Sequence, residues 1–218
     1  MDWQLLAGVN EEDSRSFLSI ARRRRFKKGE VVFHAGDPGD SLHLVDKGRF
    51  AVRAGTQLGD STMLAVVGPG AFFGELALVD EDRRQATVSA LEPGETLCIL
   101  RQEFEQVRMK HPSIDRVMVS VLAKEVRLTS KLLVEALHLP ADVRVLRRLI
   151  ETSEAWGGPD AGMVVPLTQD DLAELAGTTR PTVIRVLRSM EEKGGLKLAR
   201  GRIELVDIVL LRRGAGIR

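Results

Sequence analysis

Glycine and proline are missing from residues 113–139, which lie between Pro112 and Pro140. A stretch of this length without helix breakers, closed by a proline at each end, predicts one long helix. Apolar residues recur along it at alternating steps of three and four, and the repeat contains one polar member. The repeat consists of Val119, Leu122, Val126, Thr129, Leu133 and Ala136. Such a seam favours a parallel partner helix and hence a homodimer, and the alternative is a helix that packs along its own domain's core.

The regions on either side of this stretch differ in how glycine and proline are distributed. Between residues 26 and 100, glycine and proline separate short apolar stretches such as VVFHA, SLHLV, FAVRA, LAVVG, ATVSA and TLCIL. This spacing predicts a compact antiparallel sandwich or barrel. After a hinge near Leu139 and Pro140, a helix over about 143–153 and two further helices predict a smaller domain. We therefore expect an α+β protein with domains at 1–112, 113–139 and 140–218.

Composition excludes several function classes. Lys and Arg number 32 against 31 Asp and Glu, a net charge of +1, so any basic patch must be local. The lone Cys98 excludes a disulfide framework and cysteine-rich metal centres, and the histidines lack metal-ligand spacing. We predict no metal and no cofactor. No apolar run approaches the roughly 18 residues of a membrane span, and the first residues lack a signal layout, so a cytoplasmic protein is expected.

Residues 168–190 carry the signals of two helices in quick succession. Thr168-Gln169-Asp170-Asp171 is a capping box, which predicts the start of a helix. Gly177 can adopt the left-handed conformation that ends this helix. Thr179 can cap the next helix, with Pro181 tolerated in its first turn. Two helices joined this closely predict a helix-turn-helix.

The second of these helices separates its residues by face. Val183, Val186, Leu187 and Met190 point inward at helical spacing, whereas Arg180, Pro181, Ile184, Arg185 and Arg188 share the other side without an acid. That basic face suits a major groove, or is simply solvated. Residues 194–205 follow as two short strands joined by a basic glycine turn, which predicts a wing.

The segment TQDDLAELAGTTRPTVIRVLRSMEEKGGLKLARGRIELVD resembles the winged helix-turn-helix of the cyclic AMP receptor protein family of bacterial transcription regulators. The resemblance implies that Arg180 and Arg185 contact guanines and the neighbouring backbone. Pro181 stands where a well-known member has a glutamate that accepts a hydrogen bond from cytosine. Proline has no such acceptor, so that member's base preference at this position cannot be expected here. The expected DNA-binding residues are Thr168, Thr179, Arg180, Pro181, Thr182, Ile184, Arg185, Arg188, Arg200 and Arg202.

A second motif, FGELAL followed by RQATV, lies in the region of short strands. A glycine before a short helix offers amides to an anion, and a buried arginine offers a fork for phosphate oxygens. The Glu75 carboxylate can accept from a sugar hydroxyl. The residues alone leave another explanation open, a structural ion pair between Glu75 and Arg84.

This second motif is similar to the phosphate-binding cassette of cyclic-nucleotide-binding domains, and it implies a β-roll of the double-stranded jelly-roll type. The cassette positions are Gly74, Glu75, Leu76, Arg84, Gln85 and Ala86, with Arg83 as a flanking charge. Thr129 and Ser130 resemble the Thr-Ser pair that binds adenine in the cyclic AMP receptor protein, one residue from each subunit. The sequence departs from the family's pattern at two positions. Gln85 stands where the family has a serine or threonine, and Glu125 stands where the cyclic AMP receptor protein has an arginine near the cassette glutamate.

Together the motifs predict a dimeric DNA-binding transcription regulator that is controlled allosterically by a cyclic nucleotide. Cyclic AMP is the leading candidate for this ligand. The alternatives are cyclic GMP, another nucleotide, or a DNA-binding dimer without a ligand. Double-stranded DNA and a second copy are the expected partners, with RNA polymerase added if the regulator activates transcription, and no membrane. An enzyme is not expected, because no catalytic set is found. We interpret the basic run at residues 22–25 as a solvated edge.

Overall fold

The computed structural model of the chain describes residues 3–7, 9–55, 61–79 and 82–217. The described residues fall into two compact units. One consists of described residues within Met1–Ala54 and Val66–Ser130, and the other of described residues within Gly55–Ala65 and Lys131–Arg218.

Helices occur in both units and are numbered in chain order. They are α1 (Glu11–Ser19), α2 (Leu76–Val79), α3 (Arg101–Lys110), α4 (Ser113–His138), α5 (Ala141–Ser153), α6 (Gln169–Ala176), α7 (Arg180–Glu192) and α8 (Ile208–Gly214). Within the described residues, none of them has the length and the apolar run that a membrane crossing requires.

The strands form three antiparallel sheets. They are β1 (Arg22–Phe26), β2 (Val31–Phe33), β3 (Ser41–Lys47), β4 (Phe50–Gly55), β5 (Ser61–Val67), β6 (Phe72–Phe73), β7 (Thr87–Ala90), β8 (Gly94–Leu100), β9 (Val164–Val165), β10 (Leu196–Ala199) and β11 (Arg202–Leu205). The sheet orders are β1-β8-β3-β6, β2-β7-β4-β5 and β10-β11-β9. The first two sheets confirm the expected N-terminal β-rich architecture.

Alternation along β3 divides the apolar residues of the first unit between two cores. Val45 belongs to a cluster with Phe26, Phe50, Phe73 and Val88, which come from both four-stranded sheets. Leu42 and Leu44 point the other way, because successive side chains of a strand face opposite sides. They join a second cluster, whose α1, α3 and α4 members are Phe17, Phe104, Val107, Ile114, Met118 and Val121. His43 shares the face of Val45.

The long helix α4 packs on the first unit by a different stripe from the predicted seam. Ile114, Met118 and Val121 are buried. Val119 and Val126 are each 66 % exposed in the single chain, and Leu133 is exposed as well. The seam is therefore not what holds α4 to its own domain, and it is available for a partner helix.

From α5 onward, the second unit consists of a three-stranded sheet packed with α5 to α8. The capping box at Thr168 and Asp171 is present, and Gly177 ends α6 at a φ of 55°, as predicted. Thr179 is the N-cap residue of α7, but the expected cap bond is missing, since its hydroxyl contacts Thr182 Oγ1 at 3.1 Å instead. The predicted wing is the hairpin of β10 and β11.

The basic run at residues 22–25 is itself the edge strand β1, paired with β8. Its arginines are exposed but largely paired. Arg22 contacts Glu103 at 2.6 Å, and Arg23 bonds Asp46 and Glu95. This arrangement agrees with a solvated, charge-balanced edge.

Candidate functional site

Arg84 is held by a turn that precedes β3. The Arg84 amide donates to Asp37 O at 2.9 Å, and the Gly36 amide donates to Arg84 O at 2.8 Å. Only 4 % of Arg84 is exposed, whereas Arg83 is exposed and its Nη1 donates to Gly36 O at 2.8 Å. Of the two neighbouring arginines, Arg84 therefore points inward and Arg83 lies at the surface.

The Arg84 guanidinium has partners on two of its three nitrogens. Nη1 donates to Gly74 O at 2.9 Å, and Nη2 donates to Ser41 Oγ at 2.9 Å and lies 3.4 Å from Asp40 Oδ1. The group lies 4.1 Å from the centre of the Phe33 ring. Nε is buried without a hydrogen-bond partner among the described residues. Burial lowers the pKa of Arg84, although nearby carboxylates oppose this. A buried cation with an unused donor favours an anionic ligand.

Gly74 lets the guanidinium approach the backbone. Its φ is +87°, and a Cβ added there would lie 2.7 Å from Arg84 Nη1 and 3.0 Å from Ser41 O. Any side chain at this position would therefore meet the arginine. Leu76, the next predicted residue after Glu75, begins the short helix α2.

Glu75 is buried, with 8 % exposed. Burial raises the pKa of its carboxyl and the charge of Glu125 adds to this, whereas a backbone hydrogen bond and the charge of Arg84 lower it. No ion pair joins Glu75 to Arg84 in the described part of the chain, so the ion-pair explanation is wrong. A buried carboxylate that lacks a cation is suited to accept from a ligand hydroxyl.

The other predicted cassette residues are placed less closely. Gln85 is exposed and Ala86 is half-buried. Thr129 and Ser130 are exposed on α4, and no hydrogen bond among the described residues links them to Arg84. One chain thus brings Gly74 and Arg84 into contact and places Glu75 near enough for its charge to act on Arg84. It provides no hydrogen bond from the Thr-Ser pair to Arg84 among the described residues.

Three residues of β3 and the turn before it were missed from the sequence. Asp40 and Ser41 contact the guanidinium. His43 lies behind Ser41, with Nε2 3.4 Å from Ser41 Oγ and Nδ1 3.0 Å from Thr96 Oγ1. Burial lowers the pKa of His43 to about 3, with the charges of Arg24 and Arg84 as smaller causes. The Gly36-Asp37-Pro38-Gly39 turn was the available signal, but nothing local indicated that its next residues would meet Arg84.

In the second unit, the predicted basic face lies where the helix pattern placed it. Val183, Val186 and Leu187 are buried beneath it. A shallow groove is lined by Pro181, Ile184, Arg185, Arg188, Ser189 and Glu192. The surface does carry acids, contrary to expectation, because Glu192 borders this groove and Asp170 lies 3.6 Å from Arg180. Asp170 comes from α6, so the pattern of α7 alone could not include it.

The wing and the starts of α6 and α7 share a cleft of about 290 Å³. Its lining includes four residues that were expected to contact DNA, namely Thr168, Arg180, Arg200 and Arg202. The Thr168 hydroxyl also donates to Asp171 Oδ2 at 2.7 Å, so that proton is used within the capping box. Among the described residues, no group of three or more His, Cys, Asp or Glu could hold a metal ion.

Comparison with known proteins assigns both regions. Residues 23–111 match the family model of the cyclic nucleotide-binding domain, and residues 143–213 match that of the Crp-like helix-turn-helix domain. The chain is 31 % identical over 207 residues to the cyclic AMP receptor protein of Thermus thermophilus, covering 95 % of this chain and 94 % of that protein. It is 26 % identical over 193 residues to the CRP-like cAMP-activated global transcriptional regulator of Mycobacterium tuberculosis, covering 87 % and 86 %.

Solved structures agree on the architecture. The catabolite activator protein of Thermus thermophilus is 31 % identical, with a TM-score of 0.56 and coverage of 98 % of both chains. The c-di-GMP responsive global regulator CLP of Xanthomonas campestris has a TM-score of 0.77 at 23 % identity, over 90 % of this chain and 99 % of that one, and supports the fold alone. The chain therefore belongs to the cyclic AMP receptor protein (Crp/Fnr) family, whose members are DNA-binding transcription regulators and not enzymes.

Proposed function

We propose that the protein is a homodimeric transcription regulator whose DNA affinity is controlled by cyclic AMP bound at Arg84. The observation that carries this proposal is the buried Nε of Arg84, which has no partner among the described residues. A phosphate oxygen would supply that acceptor.

The charges around Arg84 favour a cyclic phosphodiester over a terminal phosphate. A cyclic nucleotide carries one negative charge, which one guanidinium can match. Asp40 is 3.4 Å from that guanidinium, and Glu75 and Glu125 are near enough to interact with each other. These carboxylates would repel a doubly charged phosphate more strongly. Glu75 would accept from the ribose 2′-OH, with Gly74, Leu76, Gln85 and Ala86 forming the rest of the site.

The exposed seam of α4 supports a dimer. Val119, Val126 and Leu133 are left in water by the single chain, and burying them against a second copy would be favourable. The hydroxyls of Thr129 and Ser130 lie between these residues in sequence, so dimerisation would enclose them. We propose that they contact the adenine, one from each subunit. The names of the relatives as cyclic AMP receptors and cAMP-activated regulators also favour adenine.

In this proposal residues 1–112 bind the nucleotide, 113–139 form the dimer helix and 140–218 bind DNA. Arg180, Arg185 and Arg188 face the major groove, with Pro181, Thr182 and Ile184 beside them. Thr179, Arg200 and Arg202 contact the phosphate backbone, and Thr168 joins them by turning its hydroxyl proton from Asp171 to a phosphate oxygen. Ligand binding would favour a state in which the two recognition helices are about 34 Å apart, one turn of DNA. A shift from 1:99 to 99:1 would need about 5.5 kcal/mol of differential affinity.

The test compares Arg84→Gln with Arg83→Gln, which removes the same charge from the neighbouring exposed residue. Binding of cyclic AMP, cyclic GMP and cyclic di-GMP is measured by calorimetry, and DNA affinity is measured on a selected operator with and without each nucleotide. We expect cyclic AMP to bind most tightly, Arg84→Gln to lose at least tenfold in affinity, and Arg83→Gln to keep most of it.

Two outcomes would contradict the proposal in different ways. Tighter binding of another nucleotide would reassign the ligand and keep the regulator. If no nucleotide bound and none changed the DNA affinity, the protein would be a ligand-independent DNA-binding dimer. The contact between Asp40 and Arg84 favours this second candidate, because a carboxylate already partly neutralises the guanidinium.

A further inference from the structure

A chain of buried polar side chains leads away from Arg84 into the core between the two four-stranded sheets. Ser41 and His43 lie on one face of β3, because they are two residues apart on a strand. Arg84 Nη2 donates to Ser41 Oγ at 2.9 Å, His43 Nε2 is 3.4 Å from the same oxygen, and His43 Nδ1 is 3.0 Å from Thr96 Oγ1. Ser41, His43, Arg84 and Thr96 are all buried.

Packing fixes the plane of the His43 ring. It stacks on Phe73 with 5.1 Å between ring centres and 6° between planes, and Phe26 meets it at an angle of 61°. Only 1 % of His43 is exposed. The low pKa described above means that the imidazole is neutral at ordinary pH, so one ring nitrogen donates and the other accepts.

Hydrogen-bond capacities select the tautomer. Ser41 Oγ has one proton, which it donates to Asp40 Oδ1 at 2.9 Å, and two lone pairs. One lone pair accepts from Arg84, so His43 can satisfy the other only by donating from Nε2. Nδ1 is then the acceptor, and Thr96 Oγ1 donates to it. Asp40, Arg84 and His43 thus match the three hydrogen-bonding positions of Ser41 Oγ, and the Cys98 thiol beside Ser41 is only a weak competitor for them.

We propose that His43, with its proton on Nε2, is a positioning residue for Arg84. It directs the Ser41 hydroxyl toward Asp40, so that Ser41 accepts from Nη2 and leaves Nε for the ligand phosphate. With the proton on Nδ1 instead, Nε2 would compete with Asp40 for the Ser41 proton, and the hydrogen bond from Ser41 to Asp40 would be lost. The inference deepens the proposed function and rests on it, because the phosphate of the bound nucleotide is what Arg84 is positioned to receive.

A double-mutant cycle tests the pathway. His43→Phe keeps an aromatic ring on Phe73 but removes both nitrogens, and Ser41→Ala removes the hydroxyl. We expect each variant to weaken cyclic AMP binding by about tenfold, the scale of one hydrogen bond to a charged group. The double variant should lose no more cyclic AMP affinity than the single variant that binds more weakly, because both substitutions act on the same contact. His43→Gln, whose amide can donate to Ser41, should recover part of the loss.

A second readout separates positioning from general destabilisation. The two phosphorothioate diastereomers of cyclic AMP replace different exocyclic oxygens by sulfur, and their affinity ratio reports how the phosphate meets Arg84. The ratio should change in His43→Phe and in Ser41→Ala. Val45→Ala, which perturbs the same core without a polar atom, should lower the melting temperature and leave the ratio unchanged. Wild-type affinity and ratio in His43→Phe, or losses that multiply in the double variant, would overturn the inference.

The inference can fail separately from the proposed function. If the wild-type protein binds no cyclic nucleotide, the function is wrong, and the arrangement is judged in the free protein from the ¹⁵N resonance of Arg84 Nε. That resonance should move in His43→Phe and Ser41→Ala but not in Val45→Ala. An unmoved resonance in His43→Phe would remove His43 from any role in placing Arg84.

Discussion

At the scale of single residues, Gly74 and Arg84 depend on each other. Gly74→Ala introduces a Cβ 2.7 Å from Arg84 Nη1 at a φ of +87°. The backbone term costs about 1 kcal/mol, and the guanidinium must also move. We expect cyclic AMP affinity to fall at least tenfold.

Gly29→Ala is the matched control for this substitution. Gly29 has a φ of +79°, but a Cβ there meets nothing within 4 Å. It should share the loss in melting temperature and keep the ligand affinity. If both variants bind cyclic AMP equally well, contact with Arg84 is not the reason for a glycine at position 74.

At Glu75, stability and ligand binding oppose each other. Burial raises the pKa of its carboxyl, so the folded state binds a proton more tightly than the unfolded state does. This contribution to stability is complete below the unfolded pKa and is lost as the pH rises through the folded pKa. Glu75→Gln should therefore increase the free energy of unfolding, relative to wild type, more at pH 8 than at pH 5.

The same variant should bind cyclic AMP about ten- to a hundredfold more weakly, because a ribose hydroxyl loses a charged acceptor. Urea unfolding at the two pH values and calorimetry measure the two effects. Equal stability of both proteins at both pH values would mean that Glu75 is not held at an energetic cost in the ligand-free state.

At the scale of elements, α4 presents an apolar stripe that its own domain does not cover. Val126→Glu places a charge on the seam beside Glu125, and we expect it to shift a dimer to monomers in analytical ultracentrifugation with unchanged helicity. Ser120→Glu is the control, because Ser120 is exposed on the same helix but off the seam. A Val126→Glu protein that stays dimeric at micromolar concentration would place the interface elsewhere.

The recognition helix α7 gives a prediction about specificity. Arg180→Ala should weaken binding to the specific operator by roughly 1–3 kcal/mol if Arg180 reads a guanine. Arg212→Ala removes the same charge from the exposed part of α8 and should change the affinity little. Competition binding against scrambled duplex distinguishes the alternatives, since an equal loss on both sequences would mark Arg180 as a phosphate contact.

How far the sequence predicts each element depends on the range of the interactions that form it. Helix α6 was predictable because its start at Thr168 and its stop at Gly177 are local signals. Strand β1 was not, because four consecutive arginines form a strand only through pairing with β8. The same holds for the candidate ligand site at Arg84. Gly74, Glu75 and Arg84 form a recognisable motif, whereas Ser41 and His43 reach it through the register of β3 against β8, which pairs His43 with Cys98.

At the scale of the whole molecule, regulation requires that α4 and the helices after it respond together. Helix α4 contributes residues to both units, up to Ser130 in one and from Lys131 in the other. Within the second unit, Glu135 is buried and accepts from Arg147 Nη1 at 2.8 Å and from Arg148, with Lys131 3.8 Å away. Arg147 also donates to Ala215 O at 2.8 Å, just after α8. The end of α4 is thus tied through one carboxylate to α5 and to the end of α8.

Glu135→Gln should loosen this tie. Removing one partner of a buried ion pair costs about 3 kcal/mol at the lower end of the usual range, and the lower end applies because both arginines keep other acceptors. We expect a lower melting temperature and, in the folded protein, a smaller factor by which cyclic AMP raises DNA affinity. Linkage requires DNA to raise cyclic AMP affinity by the same reduced factor, so calorimetry and DNA titration must agree. Glu154→Gln, an exposed acid beyond α5, should leave the factor unchanged. If Glu135→Gln lowers the melting temperature but keeps the full factor, the carboxylate stabilises the second unit without taking part in the response to the ligand.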